Sequence, residues 1–139
     1  GRQVATLAQP LEKEQEDGQY PLGIFLADAQ RNLLRADVAL MNNGGIRASL
    51  PPGSVTYENL FAVQPFGNRI VVLFLTGKEL REVLEHALET GVPTAHVSGI
   101  TVTWDSTRAP GQRITAGARM PPSQVVSLPP LNGVTPPSG

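Results

Sequence analysis

Cysteine is absent from this 139-residue chain. Its absence excludes disulfides, thiolate metal sites and a cysteine nucleophile, and it suits a cytosolic or a periplasmic protein equally. Histidine occurs only at His86 and His96, too few for a multi-histidine metal centre. No apolar run approaches the ~20 residues that a membrane-spanning helix requires. Neither sign of charge prevails: 11 basic residues face 12 acidic ones, for a formal net charge of -1. That balance argues against nucleic acid or an anionic membrane as a broad electrostatic partner. There is no Gly-x-Ser-x-Gly elbow and no Gly-x-x-x-x-Gly-Lys-Ser/Thr phosphate loop, and nothing pairs a nucleophile with a base. The chain opens on Gly1 without a signal-peptide pattern, as expected of a processed chain.

What the sequence does contain is a core: 40% hydrophobic residues suffice for one domain of ordinary size. Residues 1–18 are polar and end in the charge run Glu12 to Asp17, which reads as a linker or lead-in. From Pro21, suited to a first helical turn, Leu22, Phe25, Leu26, Ala29 and Leu33 recur at three- and four-residue spacing and predict a helix. Val38 to Met41 is a short continuous apolar run and predicts a buried strand. Tyr57 to Val63 predicts a short helix that stops at Pro65. Asn68 to Leu75, wholly apolar from Ile70, predicts a second strand covered on both faces. Thr76-Gly77-Lys78-Glu79 is a capping box, in which Thr and Glu satisfy each other's backbone amides. It leads a helix with the apolar stripe Leu80, Val83, Leu84, Ala87 and Leu88, and Gly91 is placed to cap its end. Val97 to Trp104 alternates like a half-exposed strand, and Pro110-Gly111 predicts a turn whose return strand starts near Gln112. Helix, buried strand and glycine turn in succession predict an α/β fold of α+β mixed character.

After Met120 the proline pairs Pro121-Pro122, Pro129-Pro130 and Pro136-Pro137 punctuate an uncharged stretch. Proline removes donors and fixes φ, so residues 120–139 are expected to be disordered or draped on the surface and to add no central strand.

Two places could carry chemistry. Asn42 to Arg47, Asn-Asn-Gly-Gly-Ile-Arg, directly follows the first strand, where α/β proteins gather their ligands. Gly44 and Gly45 would let backbone approach a ligand closely. Asn42 could bond a base edge, and Arg47 offers a planar cationic fork to hydroxyl or phosphate oxygens. The plain alternative is a tight turn followed by a surface Arg. Phe66, held in a loop between Pro65 and Gly67, could stack on a base or anchor its own loop. His86 reads as a partly exposed helix residue, and His96 lacks a nearby ligand partner.

In order and spacing, Pro21-Leu22-Gly23, Ala27-Asp28-Ala29, Ala36-Asp37-Val38-Ala39 and Asn42 to Arg47 resemble the C-terminal domain of 5'-nucleotidases. So do Val55-Thr56-Tyr57, Val63 to Asn68 and Leu75 to Leu80, and the resemblance covers roughly residues 19–105. It implies a mixed sheet with flanking helices over 19–119, incomplete at its C-terminus. It further implies nucleoside recognition through Asn42, Gly44, Gly45, Arg47 and one clamp wall, Phe66. The family's metal-dependent hydrolysis of nucleoside 5'-phosphates implies a divalent metal pair on a separate N-terminal metallophosphoesterase domain. No cofactor and no catalytic residue is then expected in this chain. A periplasmic or extracellular parent is implied as well. Asn43 stands where the family's motif has a Gly. The family's Arg before the Leu-Gly pair, its second clamp Phe and its Gly-Gly-Asp-Gly block have no counterpart here. A non-catalytic, degenerate binding or interaction module of the same fold is the competing expectation, and exposed sheet edges would invite pairing with a second copy.

Overall fold

The computed structural model describes residues 2–13 and 17–119. The proline-rich stretch 120–139, with the expectation that it adds no central strand, lies outside the described residues, as does part of the acidic run.

The chain builds β1 (Gln3–Leu7), α1 (Pro21–Leu34), β2 (Ala39–Asn42), β3 (Gly53–Thr56), α2 (Tyr57–Val63), α3 (Gly77–Ala87), β4 (Ala95–Ser98), β5 (Thr101–Trp104) and β6 (Ile114–Arg119). A single 3₁₀ turn, Asn43–Gly45, follows β2. Among the described residues the strands pair as three antiparallel ribbons, β1 with β3, β2 with β4 and β5 with β6. This is a mixed α/β fold, as the sequence predicts.

Both shorter helices start as written in their sequences. Thr56 accepts from the Asn59 amide while the Asn59 side chain accepts from the Thr56 amide. Thr76 and Glu79 do the same for α3. α3 ends at Leu88, before Gly91, whose φ of 86° turns the chain toward β4. α1 ends in a left-handed Arg35, whose amide and that of Ala36 close on the last turn.

Two apolar clusters hold these parts. The first joins Tyr20, Leu22, Ala27, Met41, Ile46, Leu50, Val55 and Val63, with Val4, Ala5 and Leu7 of β1 packed against it. The second gathers Leu84, Leu88 and Ile114, flanked by Leu80, Val97, Ile100, Val102 and Trp104. Residues 3–7 are therefore more than a lead-in. Val4, Ala5 and Leu7 are half-buried while Gln3 and Thr6 stay exposed, with an irregularity between Gln3 and Ala5 that hides the strand from a period-two reading.

Three further expectations need correction. Val38 to Met41 does not form a strand buried on both faces: β2 buries Met41 and leaves Leu40 and Asn42 exposed. Val97 to Trp104 is not one strand, because Gly99, at φ 83°, breaks it into β4 and β5. Gly99 lies so close to the Asp37 carbonyl that a Cβ would sit 2.2 Å from that oxygen.

Asn68 to Leu75 is the largest departure. It forms no ladder, and none of its backbone groups has a backbone partner among the described residues. Instead of being covered, Ile70 to Leu75 are exposed, Phe74 to 98%. β-branched and apolar residues favour a strand, but a strand exists only with a neighbour to pair with.

Candidate functional site

The Asn42–Arg47 loop is held from below by backbone. The Asn43 amide donates to the Thr94 carbonyl (2.9 Å), Ile46 closes the 3₁₀ turn on Asn43 (3.0 Å), and the Arg47 amide donates to Val63 at the end of α2 (2.8 Å). Ile46, wholly buried, anchors the turn in the first cluster. Gly45 is closely packed: a Cβ there would stand 3.1 Å from both Asn42 Oδ1 and the Met41 terminal methyl, so those side-chain ends would have to give by a few tenths of an ångström. Gly44 has more room.

Asn43 has a task of its own. Its side-chain oxygen lies 2.7 Å from His96 Nδ1, and its amide nitrogen donates to the carbonyls of Gly18 (2.9 Å) and Pro93 (3.2 Å). His96 Nε2 accepts from the Tyr20 amide at 2.9 Å. These partners assign the tautomer: Nε2 keeps its lone pair and Nδ1 carries the proton toward Asn43. The imidazole is fully buried in β4, edge-on to Tyr20 with ring centroids 4.4 Å apart. Gly23 of α1 lies against it, where a Cβ would come within 2.2 Å of the ring. His96 is thus a structural hub that fixes the glycine loop, the segment before α1 and the chain before β4. Its sequence context gives no sign of this role. One turn along α1, Ser98 donates to Asp28 Oδ1 and accepts from Arg31 Nε (2.7 Å), a second polar tie between α1 and β4.

Burial pushes the His96 pKa below its ordinary value, against the pull of Asp17. Protonation would also aim a second N–H at the Tyr20 amide. Below its ordinary value of about 6.5, the unfolded chain takes up a proton that the folded chain refuses, so stability falls as pH falls. One such proton gives a slope of at most about 1.4 kcal/mol per pH unit. Urea unfolding between about pH 7 and pH 5.5 should show that slope, and His96→Gln should flatten it.

The candidate binding residues come together in part. Asn42 and Gly45 share the walls of a crevice of about 1240 Å³ with Phe66 and Gly67. Phe66 is not a core anchor: its ring is 56% exposed, and the Arg47 guanidinium lies over it, 5.7 Å from the centroid. Arg47 reaches the opening through that ring, and neither it nor Gly44 lines the crevice. His86 is exposed on α3 beside Glu89, at 3.1 Å. Among the described residues, no group of three or more His, Asp or Glu lies close enough to hold a metal ion, so the metal pair implied by the resemblance does not fit these residues. No helix among them is long and apolar enough to cross a membrane.

Helices and ribbons that carry a polar glycine loop and a loop aromatic to one opening define a small mixed α/β domain. A family model described as 5'-nucleotidase, C-terminal domain, matches residues 3–127, and the chain belongs to that family. It is 37% identical over 115 residues to Endonuclease YhcR of Bacillus subtilis, a match covering 81% of this chain and 9% of that protein. It is 42% identical over 66 residues to Protein UshA of Escherichia coli, covering 48% of this chain and 12% of the relative. The crystal structure of a 5'-nucleotidase precursor from Thermus thermophilus superposes with a TM-score of 0.73 at 29% identity, over 86% of this chain and 27% of that one. This chain therefore spans a small part of the length of each of these relatives.

Proposed function

We propose that this domain recognises the nucleoside part of a nucleotide for a 5'-nucleotidase-type hydrolase, whose metal-bearing catalytic domain lies outside the present chain. The observation that carries the reading is the Arg47 guanidinium over the Phe66 ring beside Asn42 and Gly45, with the glycine loop fixed by backbone bonds. With one ring face under the guanidinium, Phe66 offers the other to a base, and Asn42 supplies amide donors and acceptors at the same opening. The role is binding and positioning, and the substrate class is nucleoside 5'-monophosphates. The resemblance further supports a periplasmic or extracellular parent.

A single aromatic wall grips weakly. Binding of AMP or adenosine by this chain alone is expected near the millimolar range, about -4 kcal/mol. Chemical-shift titration with AMP should move the amides of 42–47 and 66–67, and Phe66→Ala should abolish the response, as loss of a stacking contact of roughly 1–3 kcal/mol requires. No shift at millimolar AMP, or shifts centred elsewhere, would count against the reading. In that event the second reading, a non-catalytic interaction module, gains from the exposed apolar run Ile70–Leu75.

A further inference from the structure

Lys13 reaches a part of the molecule that its place in a charge run does not suggest. It is half-buried, and its ammonium donates to the Ile46 carbonyl at the end of the glycine loop. Its starting point is fixed as well. The Lys13 amide donates to Ser49 Oγ at 2.7 Å, and Leu11 and Leu50 exchange both backbone bonds at 3.0 and 2.9 Å. Leu50 is buried in the first cluster with Leu11 packed against it, so the lysine stem rises from an anchored stretch of chain.

The Ile46 carbonyl and the Arg47 amide belong to one peptide unit, and its two polar groups point in opposite directions. Lys13 donates to the carbonyl, and the N–H donates to Val63 at 2.8 Å. Turning the plane would break both bonds at once. Its orientation fixes the direction in which the Arg47 side chain departs, toward the Phe66 ring, whose centroid lies 5.7 Å from the guanidinium carbon. Val63 ends α2, three residues before Phe66, so the same unit ties the arginine to the segment that carries the ring.

We infer that Lys13 is a positioning residue for the binding opening: by holding the Ile46–Arg47 peptide it keeps the guanidinium over Phe66 and leaves the other ring face to a base. A charged donor suits this task, because its bond to a carbonyl is roughly twice as strong as one between neutral groups. That Lys13 serves ligand binding rests on the nucleoside reading; that it holds Arg47 in place does not. Without the bond the peptide plane is free to turn, and Arg47 spends only part of its time on the ring. Apparent affinity then falls with the fraction of molecules that keep the bound arrangement.

Three variants of the full 139-residue chain test this. Lys13→Met removes the donor and keeps an aliphatic stem, and Lys13→Arg restores a cationic donor. Lys78→Met removes the only other lysine of the chain, exposed at the start of α3. Without ligand, nuclear Overhauser contacts between the Arg47 side chain and the Phe66 ring should be present in the unaltered, Lys13→Arg and Lys78→Met proteins and mostly lost in Lys13→Met. Chemical-shift titration should show AMP binding about three- to tenfold weaker in Lys13→Met, with Lys13→Arg within about twofold of the unaltered chain. Hydrogen exchange in α3 should be alike in all four proteins. Ring contacts that survive in Lys13→Met would overturn the inference, and so would contacts that vanish with no change in AMP affinity. Faster exchange throughout α3 in Lys13→Met would overturn it in favour of a general role in the fold. If the unaltered chain gives no response to AMP, the nucleoside reading fails by itself, and the ring contacts still decide whether Lys13 holds Arg47.

Discussion

Replacing His96 with alanine should remove about 3–5 kcal/mol of stability, a large share of the 5–15 kcal/mol typical of a domain. The buried ring fills space between α1 and β4, and its loss opens a cavity in a close-packed interior. It also strands the buried Tyr20 amide, at a cost of about 1–3 kcal/mol when left without a bond, and removes the partner of the half-buried Asn43 side-chain oxygen. The same contact makes Gly23→Ala severe, about 3 kcal/mol or more, because a Cβ within 2.2 Å of the imidazole cannot be accommodated unless helix and strand separate. The two substitutions share one volume, so the double variant should cost at least about 1 kcal/mol less than the sum of the single ones. Urea unfolding followed by far-ultraviolet circular dichroism and by fluorescence of Trp104, the single tryptophan, measures all three. Additive losses would show that Gly23 and His96 do not press on one another.

Glu85 anchors the other cluster, and Glu85→Ala should cost about 3 kcal/mol or more. Its buried carboxylate accepts the amide of Arg113 through one oxygen (3.0 Å) and that of Ile114 through the other (2.8 Å), clasping the start of β6 to α3. Hydrogen bonds to a charged acceptor contribute roughly 1.5–3 kcal/mol each, and truncation leaves both amides buried and unsatisfied. Arg113, itself buried, runs the other way and donates to the carbonyls of Leu88 (2.6 Å), Glu89 (3.0 Å) and Arg108 (2.9 Å), capping the end of α3. Glu85→Gln should lose about half as much as Glu85→Ala, since one oxygen still accepts while the new NH₂ group opposes the second amide. A loss under about 0.5 kcal/mol for the alanine variant, of the size seen at surface sites, would contradict this role.

Much of this architecture is legible in the amino-acid order where local rules suffice. Thr76 and Glu79 announce α3, and Thr56 begins α2 where the sequence starts it, with Asn59 in the reciprocal place. Pro21 opens α1. The capping bonds of α2 and α3 span three residues and need no tertiary partner. The strands were harder to read because their environment is decided elsewhere in the chain. Ile70 to Leu75 has the composition of a covered strand, yet among the described residues it finds no neighbour. Val38 to Met41 has the composition of a doubly buried strand, yet its ribbon with β4 covers it only in part. Of the proposed contact residues, Phe66 is exposed in its loop and beside Arg47, with Asn42 and Gly45 at the same opening. Asn43 reads as a tolerated variant of a glycine position. Its side-chain amide satisfies three partners, Gly18, Pro93 and His96, which cannot be seen without knowing that His96, 53 residues away, faces it. Glu85 likewise looks like one more solvent-side acid on a helix until β6 is laid across it.

β4 is only four residues long, yet its alternation sends His96 and Ser98 toward α1 while Val97 joins the cluster beneath α3. A single short ribbon is thus common property of both halves of the molecule. Strain introduced on one side has no slack segment in which to dissipate before it is felt on the other, so the glycine loop inherits its stiffness from packing that it never touches.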